Sequence, residues 1–265
     1  MSLLNVVKIG GAVIENPIAL EEFLDSFVSL QGPKILVHGG GRSFNKLACK
    51  LSIPINVIDG RRITSKADLE LAAMIYRGKI NIDLVSKLSA RNIASVGLSG
   101  ADGNIILATK RTVKTIDYGY VGDVLKINTS WIYDLLYKWR FCPIICALAH
   151  DQKGQILNIN ADTIARELAC ALSHEPQCIK RNVKVRLIFS FEKRGVLYDA
   201  SNDDSLIEQI NQAKYQELIK EKKLSQGILP KIHNGFEAMK QGIDSVLIGN
   251  LAEFTKTKKG TVITP

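Results

Sequence analysis

The sequence predicts an α/β protein built around a parallel sheet. Three observations lead there. The apolar runs Leu3–Ile9 and 35–37 read as strands buried on both faces, as parallel strands are. Each run ends in glycines: Gly10-Gly11 after the first, Gly39-Gly40-Gly41 after the second. Helical periodicity follows each cluster, so the chain opens strand, helix, strand, helix.

The first strand carries Lys8 near its carboxyl end, the edge at which open α/β sheets bind ligands. A lysine beside two glycines, where backbone can approach without a Cβ, suggests a bound phosphate. The segment by itself equally describes a surface lysine beside a tight turn. The helix at 18–30 places Leu20, Phe23, Leu24, Phe27 and Val28 on one face, and Gln31-Gly32-Pro33 stops it. The strand 35–37 runs into His38 and the three glycines, then a helix at 43–51. A tight turn rarely needs three glycines, so Gly39–Gly41 reads as a ligand contact beside a helix N-terminus. The pattern is neither GxGxxG nor GxxxxGK[ST], so it does not support a Rossmann dinucleotide site or a Walker-type loop.

Residues 53–58 alternate into a turn at 59–64, and helical periodicity then runs from Ser65 to Arg91, read as two helices broken near Gly78. Strands follow at 94–98, 105–109 and 121–127, and a helix at 129–138 whose tryptophans, Trp131 and Trp139, read as core. Residues 142–148 are a buried strand and 154–158 a short one, ahead of a helix reaching Leu172. Asn160 suits that helix's N-cap and Asp162 its first turn, a structural role that competes with any chemical one. Asn158, two residues earlier, is not explained by capping. The polar stretch 173–182 is the expected lobe boundary. A strand at 185–191, an exposed charged helix at 205–222, a helix ending near Gln241 and strands at 245–248 and 261–263 complete the chain.

The 265 residues carry a formal charge of +9, with 46% hydrophobic and 6% aromatic residues. A basic balance suits anionic metabolites, nucleic acid or membrane surfaces. The basic residues are dispersed, and the densest group (Lys180, Arg181, Lys184, Arg186) has no interleaved aromatics. Nucleic acid is therefore not the expected partner. No apolar run approaches the ~18 residues that span a bilayer, and the start of the sequence lacks a signal-peptide pattern. The five cysteines show no CxxC spacing and read as reduced and structural, in a cytoplasmic protein.

Five stretches occur in order: Lys8-Ile9-Gly10-Gly11, His38-Gly39-Gly40-Gly41, Gly60-Arg61-Arg62-Ile63-Thr64, Asn158-Ile159-Asn160-Ala161-Asp162 and Gly227-Ile228-Leu229-Pro230-Lys231. Together they resemble the amino-acid kinase superfamily and, within it, the N-acetylglutamate kinase family of arginine biosynthesis. The likeness covers essentially the whole chain. The lysine-glycine-glycine opening is shared with carbamate, aspartate, glutamate-5 and UMP kinases; the arginine of 60–64 and the asparagine-rich stretch are more specific.

The resemblance implies a single-domain αβα sandwich, carbamate-kinase-like, on a mainly parallel sheet of about eight strands. It assigns acylglutamate binding and dimerisation to a lobe at about 1–172 and ATP to one at about 173–265. It implies transfer of the γ-phosphoryl of MgATP to the γ-carboxylate of N-acetylglutamate. A carboxylate nucleophile needs no general base, so phosphoryl transfer asks for positioning and cations. Lys8 and Lys231 would supply the cations, with Asp162 orienting both. Gly10, Gly11 and Gly39 would line the phosphoryl group, and Gly40, Gly41, Arg62, Asn158 and Asn160 the acylglutamate. Glu192, Gly195 and Ser225 would face the nucleotide. Mg2+ would ride on the ATP phosphates, with no dedicated protein ligands. The family's aspartate in a TDVxGV-like turn is Glu192 here, in a basic turn, and its glycine-glycine-methionine is Gln226-Gly227-Ile228. Residues 177–183 look inserted. The lack of an N-terminal extra helix implies a homodimer that arginine does not inhibit. Two other readings are a sister enzyme acting on N-succinylglutamate and a non-catalytic regulatory or nucleic-acid-binding relative.

Overall fold

The computed structural model describes residues 3–58, 61–113, 115–199, 201–221, 223–224 and 227–264, the side chain of Arg61 excepted. In chain order, the first half holds β1 (Leu3–Ile9), α1 (Gly11–Glu15), α2 (Pro17–Ser29), β2 (Lys34–His38), α3 (Gly41–Lys50), β3 (Val57–Ile58), β4 (Arg61–Arg62) and α4 (Lys66–Ala72). After α4 a π-helical stretch (Ala73–Ile80) runs straight into α5 (Asn81–Ser89). Then come β5 (Ser95–Leu98), β6 (Ile106–Lys110), β7 (Gly122–Ile127), α6 (Thr129–Tyr133), β8 (Cys142–Cys146), β9 (Leu148–His150), β10 (Ile156–Asn158) and α7 (Ala161–Ser173). The remainder is α8 (Pro176–Lys180), β11 (Lys184–Ser190), β12 (Gln209–Ile210), α9 (Gln212–Lys220), α10 (Leu229–Lys240), β13 (Ser245–Gly249), α11 (Leu251–Thr257) and β14 (Thr261–Ile263).

The main sheet has eight strands, and every described pairing in it is parallel except β13 with β14. That is the α/β architecture the sequence predicts. By contacts the chain forms two compact units, residues 1–35 with 165–265, and 36–164. The first unit thus takes in the N-terminal strand as well as the C-terminal part of the chain. The cause is strand pairing: β1 lies along β11 in parallel register from Leu3 opposite Lys184 to Ile9 opposite Ser190. Its strands run β12-β14-β13-β11-β1. Val6, Val7, Leu187, Ile188 and Ile248 are wholly buried in it.

The second unit contributes β2-β8-β5 to the main sheet. It adds a four-stranded sheet ordered β10-β9-β6-β7 and the β3-β4 hairpin. Ile144, Ile145, Cys146 and Leu36 form its buried centre.

Several local expectations need correction. No break occurs at Gly78; the helix widens to π geometry instead, and a Cβ at Gly78 would meet nothing within 4 Å. The helix expected at 205–222 is only Gln212–Lys220, because Gln209–Ile210 is drawn into the sheet beside β14. Strand structure at 53–58 is limited to Val57–Ile58. Trp139 is 48% exposed rather than core. All five cysteines are free, and only Cys49 is exposed.

Candidate active site

Strand β2 delivers the chain through His38 into Gly39, Gly40 and α3. The three glycines differ in what holds them. A Cβ on Gly40 would lie 2.4 Å from Tyr76 Cδ1 and 2.7 Å from Ile80 Cδ1, both on the π-helical stretch. Close packing alone therefore demands glycine there. A Cβ on Gly39 would make an ordinary 3.6 Å contact with Ala161. Gly41, exposed at the start of α3, has nothing within 4 Å of its Cβ position. Packing therefore requires glycine at neither 39 nor 41, and of these two Gly41 is the exposed one.

Arg62 leaves the short strand β4 and lies over the Phe44 ring of α3, Cζ 3.9 Å from the ring centre. Its Nη2 donates to Asn45 Oδ1. Its Nη1 is enclosed and has no hydrogen-bond partner. Burial lowers the Arg62 pKa from its ordinary value, against the pull of Tyr76 and Asp68. Burial also pushes the Tyr76 phenol up to about 12, although Arg62 opposes it. The guanidinium is thus stacked, half-tethered and partly desolvated. A planar guanidinium of this kind can take a carboxylate through its remaining N–H groups.

Thr64, two residues on, is fully buried and pairs with a distant loop. Its N–H donates to the Tyr118 carbonyl at 3.0 Å, and its own carbonyl accepts from Tyr120 N–H at 2.8 Å. Asn158 Nδ2 donates to Thr64 Oγ1 at 3.1 Å, and Asn158 N–H donates to the Tyr120 carbonyl at 2.9 Å. Residues 118–120 therefore tie the arginine-bearing segment to Asn158. Gly119 makes this possible: its φ is +68°, and a Cβ there would sit 2.2 Å from the Thr64 carbonyl oxygen. Asn160 Oδ1 accepts from the N–H groups of Asp162 (2.8 Å) and Thr163 (3.2 Å), so it caps α7. Asp162 is 5% exposed in the first turn of that helix.

The remaining expected residues lie in the other unit. Lys8 is 9% exposed on β1, opposite Phe189. Gly10 N–H donates to the Ser190 carbonyl at 2.8 Å, which holds the turn against the end of β11, and Gly11 begins α1. Lys231 occupies the first turn of α10 with Nζ 3.4 Å from the Gly227 carbonyl. Glu192 is exposed. Gly195 is enclosed: a Cβ would lie 2.5 Å from Leu206 Cδ1 and 2.6 Å from Thr261 Oγ1. The basic turn is paired, Lys193 with Asp203 at 3.0 Å and Arg194 with Glu253. Gly60, Ser225 and Gln226 lie outside the described residues.

The model of the amino acid kinase family matches residues 4–250. The chain belongs to the amino acid kinase family. This family member is 43% identical to an acetylglutamate kinase of Bacteroides fragilis over 260 residues, 98% of this chain and 96% of that one. It is 42% identical to an acetylglutamate kinase of Cytophaga hutchinsonii over 249 residues, 94% and 91% of the two chains. Among solved structures, smu.665 from Streptococcus mutans UA159 matches with a TM-score of 0.80 at 28% identity, covering 99% of this chain and 98% of that one. Carbamate kinase from Giardia lamblia bound to AMP-PNP matches with a TM-score of 0.64 at 14% identity, over 99% and 98%. That last likeness speaks for the fold alone.

Sequence reading of this amino acid kinase missed four contributors: Phe44 and Asn45 beneath Arg62, Tyr76 behind Gly40, and Gly119 against Thr64. A single glycine between two tyrosines in a polar loop was the available signal for the last. Nothing in the sequence marks the other three, because their contacts join segments far apart in the chain. Among the described residues no helix is long and apolar enough to cross a membrane.

Proposed function

We propose that the protein is an acetylglutamate kinase: it transfers the γ-phosphoryl of MgATP to the γ-carboxylate of N-acetyl-L-glutamate. The products are N-acetylglutamyl 5-phosphate and ADP. The observation that carries this reading is the Arg62 guanidinium, stacked on Phe44 with Nη1 enclosed and unpaired, on the segment tied to Asn158. Such a fork is ready for a substrate carboxylate and has no evident structural need for its free nitrogen. The extent of identity to acetylglutamate kinases over nearly the full chain supports the same substrate.

In the transfer, a γ-carboxylate oxygen attacks the γ-phosphorus and the bond to the β-γ bridging oxygen breaks, leaving its electron pair on ADP. Arg62 grips a carboxylate of the acylglutamate, and Asn158 contacts the acylamino group. Gly41 lets the substrate or phosphoryl group approach the backbone at the N-terminus of α3. The Gly10-Gly11 turn serves the transferred group. Lys8 and Lys231 neutralise charge as it shifts between nucleophile and leaving group, and Asp162 orients them. Asn160 acts first as the cap that fixes Asp162. Glu192, Gly195 and Ser225 belong to the nucleotide side, and Mg2+ arrives on the ATP phosphates. A cytoplasmic homodimer working in arginine biosynthesis completes the proposal. Acylglutamate binding is assigned to residues up to about 172 and ATP binding to those from about 173, a functional division that does not follow the contact units.

A coupled assay of ADP release tests the function. ADP formation that requires N-acetyl-L-glutamate and magnesium supports it. ADP release independent of any acylglutamate overturns it, and faster turnover of N-succinylglutamate would reassign the substrate.

A further inference from the structure

The peptide between Gly39 and Gly40 is flanked by glycine on both sides. Such a peptide rotates more freely than any other, because neither flanking residue has a Cβ to resist the change in φ and ψ. Its orientation nevertheless matters. A peptide unit is planar and trans, so the direction of the Gly39 carbonyl fixes the opposite direction for the Gly40 N–H. Gly40 is one of the residues expected to line the acylglutamate, so this inference rests on the proposed function.

His38 supplies the constraint. Its ring is wholly buried, and Nδ1 lies 2.7 Å from the Gly39 carbonyl oxygen. A carbonyl oxygen only accepts, so Nδ1 carries a proton and donates. The far side of the ring meets a second acceptor: Nε2 lies 2.8 Å from Asn81 Oδ1, so Nε2 donates as well and the ring, set between two oxygen acceptors, carries a proton on each nitrogen. Asn81 is itself buried, and its amide nitrogen donates to the Leu98 carbonyl at 3.1 Å, which turns Oδ1 toward the histidine. The chain Leu98–Asn81–His38–Gly39 thus runs from the end of β5, through the first residue of α5, to the end of β2.

We infer that His38 is a positioning residue for the transfer: through the Gly39 carbonyl it aims the Gly40 amide, with Asn81 holding the ring in register. His38 touches neither substrate nor phosphoryl group. Its effect is therefore expected in the chemical step and not in substrate affinity.

The test separates the two arms of the ring. In His38→Asn an amide falls near the δ position and can still hold the Gly39 carbonyl. In His38→Gln the amide falls near the ε position and reaches Asn81 but not Gly39. kcat, KM for N-acetylglutamate and thermal midpoint are measured for both and for wild type. The expected result is a kcat in His38→Gln lower by on the order of 10- to 100-fold, the scale of a misaimed group. KM should stay within about threefold, and His38→Asn should keep kcat within about threefold of wild type. Equal kcat losses in the two variants, or a His38→Gln kcat within threefold of wild type, overturn the inference. If either variant fails to fold, Asn81→Ser carries the test. A lower kcat at unchanged KM supports the inference, and a wild-type kcat overturns it. Wild-type protein that turns over no acylglutamate defeats the underlying function, an outcome distinct from a working enzyme indifferent to His38.

Discussion

Gly40 and Gly41 are adjacent and identical in sequence, yet alanine at each should do opposite things. At Gly40 the added Cβ would stand 2.4 and 2.5 Å from two Tyr76 ring carbons and 2.7 Å from Ile80 Cδ1. Ordinary contact begins at 3.4 Å, so the overlap reaches 3.4 − 2.4 = 1.0 Å. Tyr76 and Ile80 are 5% and 3% exposed, which leaves them little room to retreat. Overpacking of that kind costs about 1–3 kcal/mol. At about 2–4 °C per kcal/mol for a chain of this size, Gly40→Ala should lower the thermal midpoint by roughly 2–12 °C. At Gly41 nothing lies within 4 Å and φ is not positive. Alanine there should stabilise by about 0.4–1 kcal/mol, through the smaller entropy of the unfolded chain. The midpoint should then hold or rise by roughly 1–4 °C. Gly41→Ala should nonetheless lose kcat by on the order of tenfold or more, because the new methyl occupies the substrate's line of approach. Differential scanning fluorimetry and the ADP-release assay read both quantities. A Gly40→Ala protein as stable as wild type would refute the packing argument. A Gly41→Ala protein of full activity would refute the ligand-contact argument.

Three further expectations rest on separate observations. Arg62→Lys loses the fork and the stacking on Phe44; removal of charged hydrogen bonds worth about 1.5–3 kcal/mol should raise KM for N-acetylglutamate on the order of 10-fold or more in steady-state kinetics, and an unchanged KM would place the carboxylate elsewhere. Gly119→Ala forces a left-handed φ of +68° on alanine and a 2.2 Å approach to the Thr64 carbonyl; denaturant titration should show a loss of about 2 kcal/mol or more, together with a raised KM, since Thr64 and Asn158 move with the loop. Thiol titration of the native protein with a disulfide reagent should give one fast cysteine, Cys49, and four that react only on unfolding. Burial pushes the Cys146 thiol up to about 12 and those of Cys170 and Cys178 up to about 11, so raising the pH to 9 should not speed those three. Several fast thiols at pH 8 would contradict the packing of β8 and α7.

The fold class was legible because its signals are local. β1 and β2 are apolar enough to be buried on both faces, and each ends in glycines ahead of a helix. Capping was legible for the same reason: Asn160 sits two residues before Asp162 and bonds the first-turn amides as expected. What escaped depends on contacts between distant segments. The glycine at position 40 is set by Tyr76, and the stack under Arg62 by Phe44. The helix from 66 to 89 passes Gly78 without a break, running through a π-helical stretch at Ala73–Ile80. Trp139 was read as core, whereas its place just past the π-helical stretch Asp134–Lys138 that continues α6 leaves it half in solvent. The contact units divide at residues 35 and 164 because β1 pairs with β11, a register that no composition shift announces.

The central claim is transfer of a phosphoryl group to the γ-carboxylate of an acylglutamate. The most direct measurement is trapping: the protein is incubated with MgATP, N-acetyl-L-glutamate and hydroxylamine, beside Lys8→Ala and Arg62→Ala. The account predicts a γ-hydroxamate formed in step with ADP, abolished by the first substitution and restored toward wild type in the second only at high substrate. ADP without hydroxamate, or hydroxamate undiminished in Lys8→Ala, would contradict it.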